Sequence, residues 1–278
     1  PRGTRRRPKE EVSAAAPAET TGARAAPVVF LTGASTGIGE ALARHYAAQG
    51  ATLGLVARRA ELLEKVTASL PGQHLHYTAD VRDTDALRAA AEDFIARVGV
   101  PDIVIGNAGV SVGTLTGEQE DLPAFEAVFD INVLGLVRTF APFVKPMQAR
   151  GTGTLVGVAS VAGIRGLPGA GAYSASKAAA ISYLESLRVE LRGSGVRVKT
   201  LCPGYIDTPM TEKNPYPMPF MLEAADAAER FARFIDGPRS YAVIPWQMGI
   251  VAKVMRLLPN AVYDALASKS GRKPRGTL

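Results

Sequence analysis

The sequence is poor in the residues that build cross-links and metal sites. Its 278 residues include one cysteine, three histidines and one tryptophan. Because Cys202 has no partner cysteine in the chain, an internal disulfide framework is excluded and a reducing compartment is favoured. The histidines lie apart in the sequence and show no metal-ligand spacing, so we expect no metal site.

Long hydrophobic runs are also lacking. No apolar run approaches the roughly 18 residues that a membrane-spanning helix needs. The arginine-rich start is not followed by the apolar stretch of about 7–15 residues that marks a secretory signal. The sequence therefore predicts a cytoplasmic protein.

The body of the chain lacks an excess of either charge. The formal net charge of +6 comprises +3 from residues 1–26, +4 from residues 267–278 and −1 from everything between them. We therefore expect no nucleic-acid groove on the folded body. Residues 1–26 have no apolar periodicity and are interpreted as a disordered basic tail, with residues 269–278 as a second basic tail. Solvated tails are favoured over tails that bind anionic lipid or nucleic acid.

Beyond the first tail, short β-branched apolar runs alternate with stretches of helical period. The predicted strands are Val28–Thr32, Thr52–Ala57, His74–Thr78, Ile103–Asn107, Gly153–Ala159, Val196–Cys202 and Tyr241–Pro245. The predicted helices cover about 37–49, 59–69, 83–97, 121–150, with a break allowed inside it, and 173–192. This alternation is typical of α/β proteins, and it predicts a single doubly wound, Rossmann-like domain over residues 27–245. Its seven-stranded parallel sheet has helices on both faces.

Two segments near the C-terminus differ from this pattern. Residues 203–222 are rich in proline and follow no period, which is typical of a lid over a binding site. A helix over about 223–236 follows the lid. Residues 246–268 form a predicted C-terminal helical extension, which Pro259 should divide into two helices. Its amphipathic pattern and basic flanks leave three placements open: packing on the body, closing a dimer, or peripheral contact with a membrane.

A glycine-rich loop, TGASTGIGE, joins the first strand to the first helix. Without side chains, its glycines let the backbone approach a pyrophosphate, and the helix amino terminus adds unpaired N–H groups and partial positive charge. A tight turn alone would also explain the glycines, but the strand before and the helix after favour a phosphate site. The candidate cofactor contacts in this loop are Gly33, Ser35, Thr36, Gly37, Ile38 and Gly39.

The end of the second strand predicts which dinucleotide binds. About 20 residues past the glycines, a carboxylate accepts from a ribose 2′-hydroxyl, whereas an arginine accommodates a 2′-phosphate. Here Arg58 and Arg59 occupy that place, and no acid follows before Glu61. The sequence therefore predicts NADP(H) over NAD(H). The alternative is that one arginine is only an exposed residue at a helix start.

Seven motifs along the chain resemble, in order and spacing, those of the short-chain dehydrogenase/reductase family. They are TGASTGIG, Asp80–Val81, Asn107–Gly109, Asn132, Ser160, the YSASK stretch with Tyr173 and Lys177, and Pro203–Gly204. Each motif is modest alone, but together they span about residues 27–210. The resemblance implies an oxidoreductase that uses NADP(H) to interconvert a carbonyl and a secondary alcohol.

The resemblance also implies roles for individual side chains. Ser160 would hydrogen-bond the substrate oxygen and Tyr173 would transfer the proton. Lys177 would bind ribose hydroxyls and tune Tyr173, while Asn132 would hold a water in a proton relay to Lys177. Asp80 would bind the adenine amino group, with Val81 beside the ring. The further implied cofactor contacts are Asn107, Ala108, Gly109, Tyr173, Lys177, Pro203, Gly204, Ile206 and, at the nicotinamide carboxamide, Thr208.

The spacing of Tyr173 and Lys177 agrees with this reading. Residues four apart share one face of a helix. A tyrosine with a pKa of about 10 exchanges protons poorly near neutrality, and a neighbouring ammonium, like an oxidised nicotinamide ring, favours the phenolate. The sequence therefore predicts a lowered pKa for Tyr173, close to the pH at which the enzyme works. On spacing alone, a surface pair without chemistry would be favoured.

The substrate and the assembly are less specified. The lid carries apolar side chains that favour a bulky apolar carbonyl or alcohol, namely Tyr205, Met210, Tyr216, Met218, Phe220, Met221 and Leu222. Arg165 either meets a polar substituent or is an ordinary surface residue. The C-terminal extension resembles that of hydroxysteroid-dehydrogenase-type relatives, and a homodimer or homotetramer is expected. The alternative to an enzyme is a non-catalytic, dinucleotide-sensing or scaffolding protein with the same fold.

Overall fold

The computed structural model describes residues 26–212 and 214–276, so the tail predicted over residues 1–26 lies, but for Ala26, outside the described residues. Seven parallel strands form one sheet in the order β3-β2-β1-β4-β5-β6-β7. Their bounds are β1 Val28–Thr32, β2 Thr52–Ala57, β3 Leu75–Thr78, β4 Ile103–Gly106, β5 Gly153–Val158, β6 Val196–Pro203 and β7 Tyr241–Ile244.

Helices cover both faces of this sheet. In the described part of the chain they are α1 Gly37–Ala48, α2 Ala60–Ala68, α3 Thr84–Val98, α4 Leu122–Phe129, α5 Gly135–Arg150, α6 Gly171–Glu190, α7 Ala224–Asp236, α8 Trp246–Leu257 and α9 Asn260–Ala267. The doubly wound α/β fold predicted from the alternating pattern is therefore confirmed.

The central strands are apolar throughout because both of their faces are buried. Successive side chains point to opposite faces of a strand. In β1, Leu31 packs into the core cluster that contains Leu42 and Phe231, while Phe30 packs with Phe94 and Phe143 in a second cluster. The strand order reverses beside β1, where β2 lies on one side and β4 on the other. In open parallel sheets, ligands bind at the carboxyl ends of the strands beside such a reversal.

The helix predicted over 121–150 is continuous but locally widened. A five-residue turn of π type, Asp130–Leu134, joins α4 to α5. Among the described residues, the stretch Gln119–Arg150 is long and apolar enough on average to cross a membrane, so the expectation that no stretch qualifies is corrected here. Phe140, Phe143 and Met147 of this stretch are fully buried in the core of the domain, as in the core helix of a globular protein.

The C-terminal extension consists of two helices, α8 and α9, which are divided just before Asn260 as Pro259 predicted. Met248 and Ala252 of α8 are buried, so one face of this helix packs on the body. The second basic tail differs from expectation. Its described part is not free in solvent, because the Gly113 N–H donates to the Pro274 carbonyl at 3.0 Å.

Candidate active site

Glycines shape the loop between β1 and α1. Gly33 and Gly37 have φ angles of +69° and +58°, a region that favours glycine. A Cβ on Gly39 would lie 2.0 Å from the Gly33 carbonyl oxygen, so only glycine lets the loop fold back on itself. Thr36 precedes α1 without a side-chain capping bond, so its side chain leaves the first N–H groups of the helix free to bind a ligand. This cradle of backbone donors fits a pyrophosphate.

The two arginines after β2 have different neighbours. Arg59 reaches the glycine loop, where its Nη2 donates to Thr36 Oγ1 at 3.1 Å. Arg58 lies 3.7 Å from the Asp80 carboxylate and is half-exposed. The sequence pattern treated the pair as equivalent, but the structure brings Arg59 to the glycine loop and Arg58 to Asp80.

Asp80 is held by an arginine that sequence reasoning missed. Arg82 Nη2 donates to Asp80 Oδ2 at 2.8 Å, and Arg82 Nε donates to both carboxylate oxygens. Burial alone would raise the pKa of Asp80, but hydrogen bonds from Arg82 and the charges of Arg82 and Arg58 hold it below its ordinary value. Val81 is buried against Gly135 at the start of α5. A basic residue directly after Asp80–Val81 was the signal available in the sequence.

The loop after β4 packs on the glycine cradle. Asn107 Nδ2 donates to the carbonyl oxygens of Thr32 and Gly33 at 3.1 and 3.2 Å. A Cβ on Gly33 would lie 2.9 Å from the Ala108 Cα. Asn107 and Ala108 therefore pack against the glycine-rich loop and hold its backbone in place.

Tyr173 and Lys177 lie on one face of α6, as their spacing predicted. The Lys177 side chain is buried, and its Nζ donates to the Val158 carbonyl at 2.9 Å. Nζ lies 5.9 Å from the centre of the Tyr173 ring. The ammonium is thus beside the phenol, on the side that faces the sheet.

The protein groups around Tyr173 do not by themselves lower its pKa, so the predicted lowering, which also counts on the oxidised nicotinamide ring, stays a prediction. Burial raises the pKa of Tyr173 above its ordinary value, and a hydrogen bond with the Ser160 side chain opposes the shift only in part. Burial also lowers the pKa of Lys177 to about 8. Spacing revealed the proximity of the two groups but not their burial, and burial disfavours the charged form of each.

Ser160 and Asn132 approach the same region from other elements. Ser160 follows β5, and its Oγ accepts from the Ala162 N–H at 3.1 Å, so it also caps a short turn. Asn132 lies in the widened turn between α4 and α5, where its Oδ1 accepts from the Val110 N–H at 2.8 Å and its Nδ2 donates to Ser176 Oγ at 3.0 Å. Ser176, within the YSASK stretch, is a second residue that sequence reasoning missed.

A small space separates Asn132 from Lys177. A Cβ on Gly109 would lie 3.2 Å from Asn132 Oδ1 and 3.3 Å from Lys177 Nζ. These two polar atoms therefore face the same point. The structure brings Asn132, Ser160, Tyr173 and Lys177 to one edge of the sheet.

The segment after β6 closes the site from the other side. A Cβ on Gly37 would lie 3.1 Å from the Thr208 methyl group, so Thr208 covers the amino end of α1. Pro203 ends β6, and a Cβ on Gly204 would meet the Met248 side chain at 2.7 Å. The Ile206 side chain is buried and packs in the core cluster on the β1 side that contains Leu31.

Arg165 has neither of the two roles considered for it. Its guanidinium donates to the Leu258 carbonyl at 2.8 Å and to Asn260 Oδ1 at 3.0 Å. It also lies 4.0 Å from the centre of the Tyr263 ring. Arg165 therefore fastens the loop that follows Ser160 to the C-terminal extension.

Comparisons with known proteins show the family to which the chain belongs. The family model described as short chain dehydrogenase matches residues 27–217. An uncharacterized oxidoreductase of Myxococcus xanthus is 37% identical over 243 residues, which cover 86% of this chain and 96% of that protein. A 3-oxoacyl-acyl-carrier-protein reductase of Thermotoga maritima is 34% identical over 191 residues, which cover 68% of this chain and 77% of that protein.

A solved structure shows the same fold. The crystal structure of a short-chain dehydrogenase from Streptomyces avermitilis has a TM-score of 0.74 and 26% identity, and the match covers 87% of this chain and 96% of that one. The fold of this family binds a nicotinamide dinucleotide, and the glycine cradle described above fits that group. The chain therefore belongs to the short-chain dehydrogenase/reductase family and is an oxidoreductase that acts on CH–OH groups.

Proposed function

We propose that this protein uses NADP(H) to interconvert a carbonyl and a secondary alcohol on a bulky apolar substrate. The observation that carries the proposal is the cluster of Ser160, Tyr173 and buried Lys177 at the carboxyl edge of the sheet. When bound, the nicotinamide supplies or accepts the hydride, and the protein supplies orientation and proton transfer. A dinucleotide sensor has no physical need for this cluster.

The state of Tyr173 suits the reduction of a carbonyl. Because burial raises its pKa, the phenol keeps its proton at neutral pH and acts as the acid toward the carbonyl oxygen. Ser160, within hydrogen-bonding reach of Tyr173, orients the same oxygen. Lys177 and Asn132 lie behind Tyr173 and relay a proton to it through the space beside Gly109.

Apolar lid residues support the choice of substrate. Ile206 and Leu222 pair through their backbones and hold the two ends of the lid together. Within the lid, Tyr205 and Tyr216 lie with ring centres 6.5 Å apart. Aromatic rings of this kind form an adaptable apolar wall for a bulky group.

The preference for NADP(H) is tested by charge reversal. The variants Arg58→Glu and Arg59→Glu should each raise the KM for NADPH about tenfold or more, because a charge-assisted contact with the 2′-phosphate is lost. The KM for NADH should change about twofold at most, since NADH carries no such phosphate. Arg88→Glu on α3, an exposed arginine distant in sequence from the glycine loop, is the matched control. Equal effects on both cofactors would contradict the assignment.

The outward face of the C-terminal extension supports peripheral contact with a membrane. It exposes six large apolar side chains: Trp246, Ile250, Val254, Leu257, Val262 and Leu266. The first four are spaced along α8 so that they share one stripe. An exposed apolar stripe of this length marks an interaction surface.

The charge around the stripe favours anionic lipid over a second copy of the chain. No acidic residue occurs between Asp236 and Asp264, and Lys253 and Arg256 are exposed on α8. A second copy of this face offers those two cations only the carboxylate of Asp264 on α9, whereas an anionic membrane offers many headgroups. The expected homodimer or homotetramer then forms through other surfaces of the protein.

Trp246 reports on this contact directly, because it is the chain's single tryptophan and is 65% exposed. Phosphatidylglycerol vesicles at low salt should shift its fluorescence to the blue, and phosphatidylcholine vesicles should not. Lys253→Glu should weaken the shift, and Lys65→Glu on the exposed side of α2 should leave it unchanged. A blue shift that grows with protein concentration without lipid would instead assign the stripe to a dimer.

A further inference from the structure

The last described residues contact loops that flank the candidate active site. We call residues 271–275 the C-terminal strap. The strap pairs with the loop after β4 through Gly113 and Arg275, which lie side by side as in parallel strands. The Gly113 N–H donates to the Pro274 carbonyl at 3.0 Å. A segment that the sequence favours as solvated therefore pairs with the loop after β4 through an isolated backbone bridge.

Glycines allow the strap to lie close to three loops at once. A Cβ on Gly113 would lie 2.3 Å from the Lys273 carbonyl oxygen. A Cβ on Gly169, just before α6, would lie 3.1 Å from the Arg272 Cβ. A Cβ on Gly271 of the strap would lie 2.8 Å from the Tyr216 Cβ in the lid. The strap therefore bridges the loop after β4, the loop before Tyr173, and the lid.

An ion pair latches the strap. Arg275 Nε and Nη2 donate to the two oxygens of Asp121 at 2.9 and 3.1 Å. Glu118 and Glu120 add carboxylate oxygens at 3.4 and 3.6 Å. Asp121 also accepts from the Leu115 N–H at 2.7 Å, so the latch is anchored to the backbone of the loop after β4. Two-point contact of this kind fixes orientation as well as distance.

Tyr216 connects the strap to the lid. Its ring centre lies 6.5 Å from that of Tyr205, and burial, with smaller contributions from the charges of Tyr205 and Tyr173, raises the pKa of Tyr216 to about 12. Its Cβ rests on the backbone of Gly271. Tyr216 is therefore held between the strap on one side and Tyr205 on the other.

We infer that the C-terminal strap is an outer wall of the substrate cleft and positions Tyr216 beside Tyr205 in the lid. This inference rests on the proposed function, because it treats the space beside Tyr173 as the place of the substrate. With the strap latched, Tyr216 and Tyr205 present an ordered apolar wall to a bulky ketone. Small ketones do not reach this wall, so the strap selects for bulk.

Two matched pairs of variants test the latch. Gly113→Ala places a methyl group against the strap, whereas Gly117→Ala adds one where no atom lies within 4 Å. Arg275→Glu removes the ion pair, whereas Lys269→Glu changes the charge of an exposed residue before the strap. By mass spectrometry, amide exchange in the lid peptide that contains Tyr216 should be about tenfold faster in Gly113→Ala and Arg275→Glu, equivalent to about 1.4 kcal/mol of local stability. The two controls should match the parent.

Kinetics then separates a positioning role from a merely structural one. With 1-decalone as the bulky probe, the strap variants should raise KM about tenfold and leave kcat within about twofold. With cyclohexanone as the small probe, both constants should stay unchanged. Faster lid exchange without a change in the KM for 1-decalone would overturn the inference, as would unchanged exchange. If the parent reduces neither ketone, the proposed substrate class fails, while the exchange experiment still judges whether the strap holds Tyr216.

Discussion

Replacing Tyr173 with phenylalanine should lower kcat about 10²–10⁴-fold for every carbonyl that the parent reduces, because it removes the proton donor and keeps the ring. The Kd for NADPH, measured by fluorescence, should stay within about twofold, since the glycine cradle is untouched. Tyr183→Phe is the matched control, because Tyr183 lies on the same helix but packs on the core.

The same measurement discriminates between the enzyme and the non-catalytic alternative. If the parent binds NADPH but reduces no carbonyl of an aliphatic, aromatic and bicyclic panel, the sensing or scaffolding protein is favoured. If Tyr173→Phe keeps the turnover of the parent, the proton donor has been assigned to the wrong group. Either result would remove the mechanism proposed above while leaving the family assignment intact.

Replacing Lys177 with methionine should lower kcat about 10²-fold or more and change its dependence on pH. In the parent, reduction should slow as the pH rises through about 8, because Lys177 then loses the proton that it relays to Tyr173. The variant should lack this inflection. Lys199→Met is the control, because Lys199 is also buried and hydrogen-bonds the Phe234, Gly237 and Arg239 carbonyls, outside the proposed site. An inflection near pH 8 that survives in Lys177→Met would contradict the relay.

The free energy of unfolding should rise with pH in the range where the rate of reduction falls. The pKa of Lys177 is about 8 in the folded chain and returns to its ordinary value of 10.5 on unfolding. Between these values the unfolded chain binds more protons, so the free energy of unfolding rises with pH across this window. Burial lowers the pKa of Lys199 to about 8 as well, so either single methionine variant should flatten the rise in part. Urea denaturation of the parent and of both variants at several pH values measures this dependence of the free energy of unfolding on pH.

Local pattern was enough to predict most of the scaffold. Runs of β-branched residues placed all seven strands within one residue of their observed ends, since strands buried on both faces are apolar throughout. The glycine loop was recognised because a tight turn between a strand and a helix allows few other residues. Tyr173 and Lys177 were paired because helical spacing alone puts them on one face.

Features that depend on burial could not be predicted. The pKa of Tyr173 moves upward because the fold removes the phenol from water, and the four-residue spacing contains no information on solvent. The surroundings of Asn132 in the widened turn could not be predicted either. Its side chain is hydrogen-bonded to Val110 and Ser176, which lie in distant parts of the chain. The contact of Arg165 with the C-terminal extension could not be predicted either, because its partners Leu258 and Asn260 lie 93 and 95 positions further along the chain.

The amino-acid order alone thus determined the elements of secondary structure, the phosphate-binding loop and the pairing of a phenol with an amine, since each depends on neighbours within a few residues. Tertiary structure decided which arginine meets the glycine loop, which protons the buried pair retains, and where the C-terminal tail lies. Those outcomes depend on contacts such as that between Arg275 and Asp121, which are 154 residues apart and meet only after the sheet has assembled.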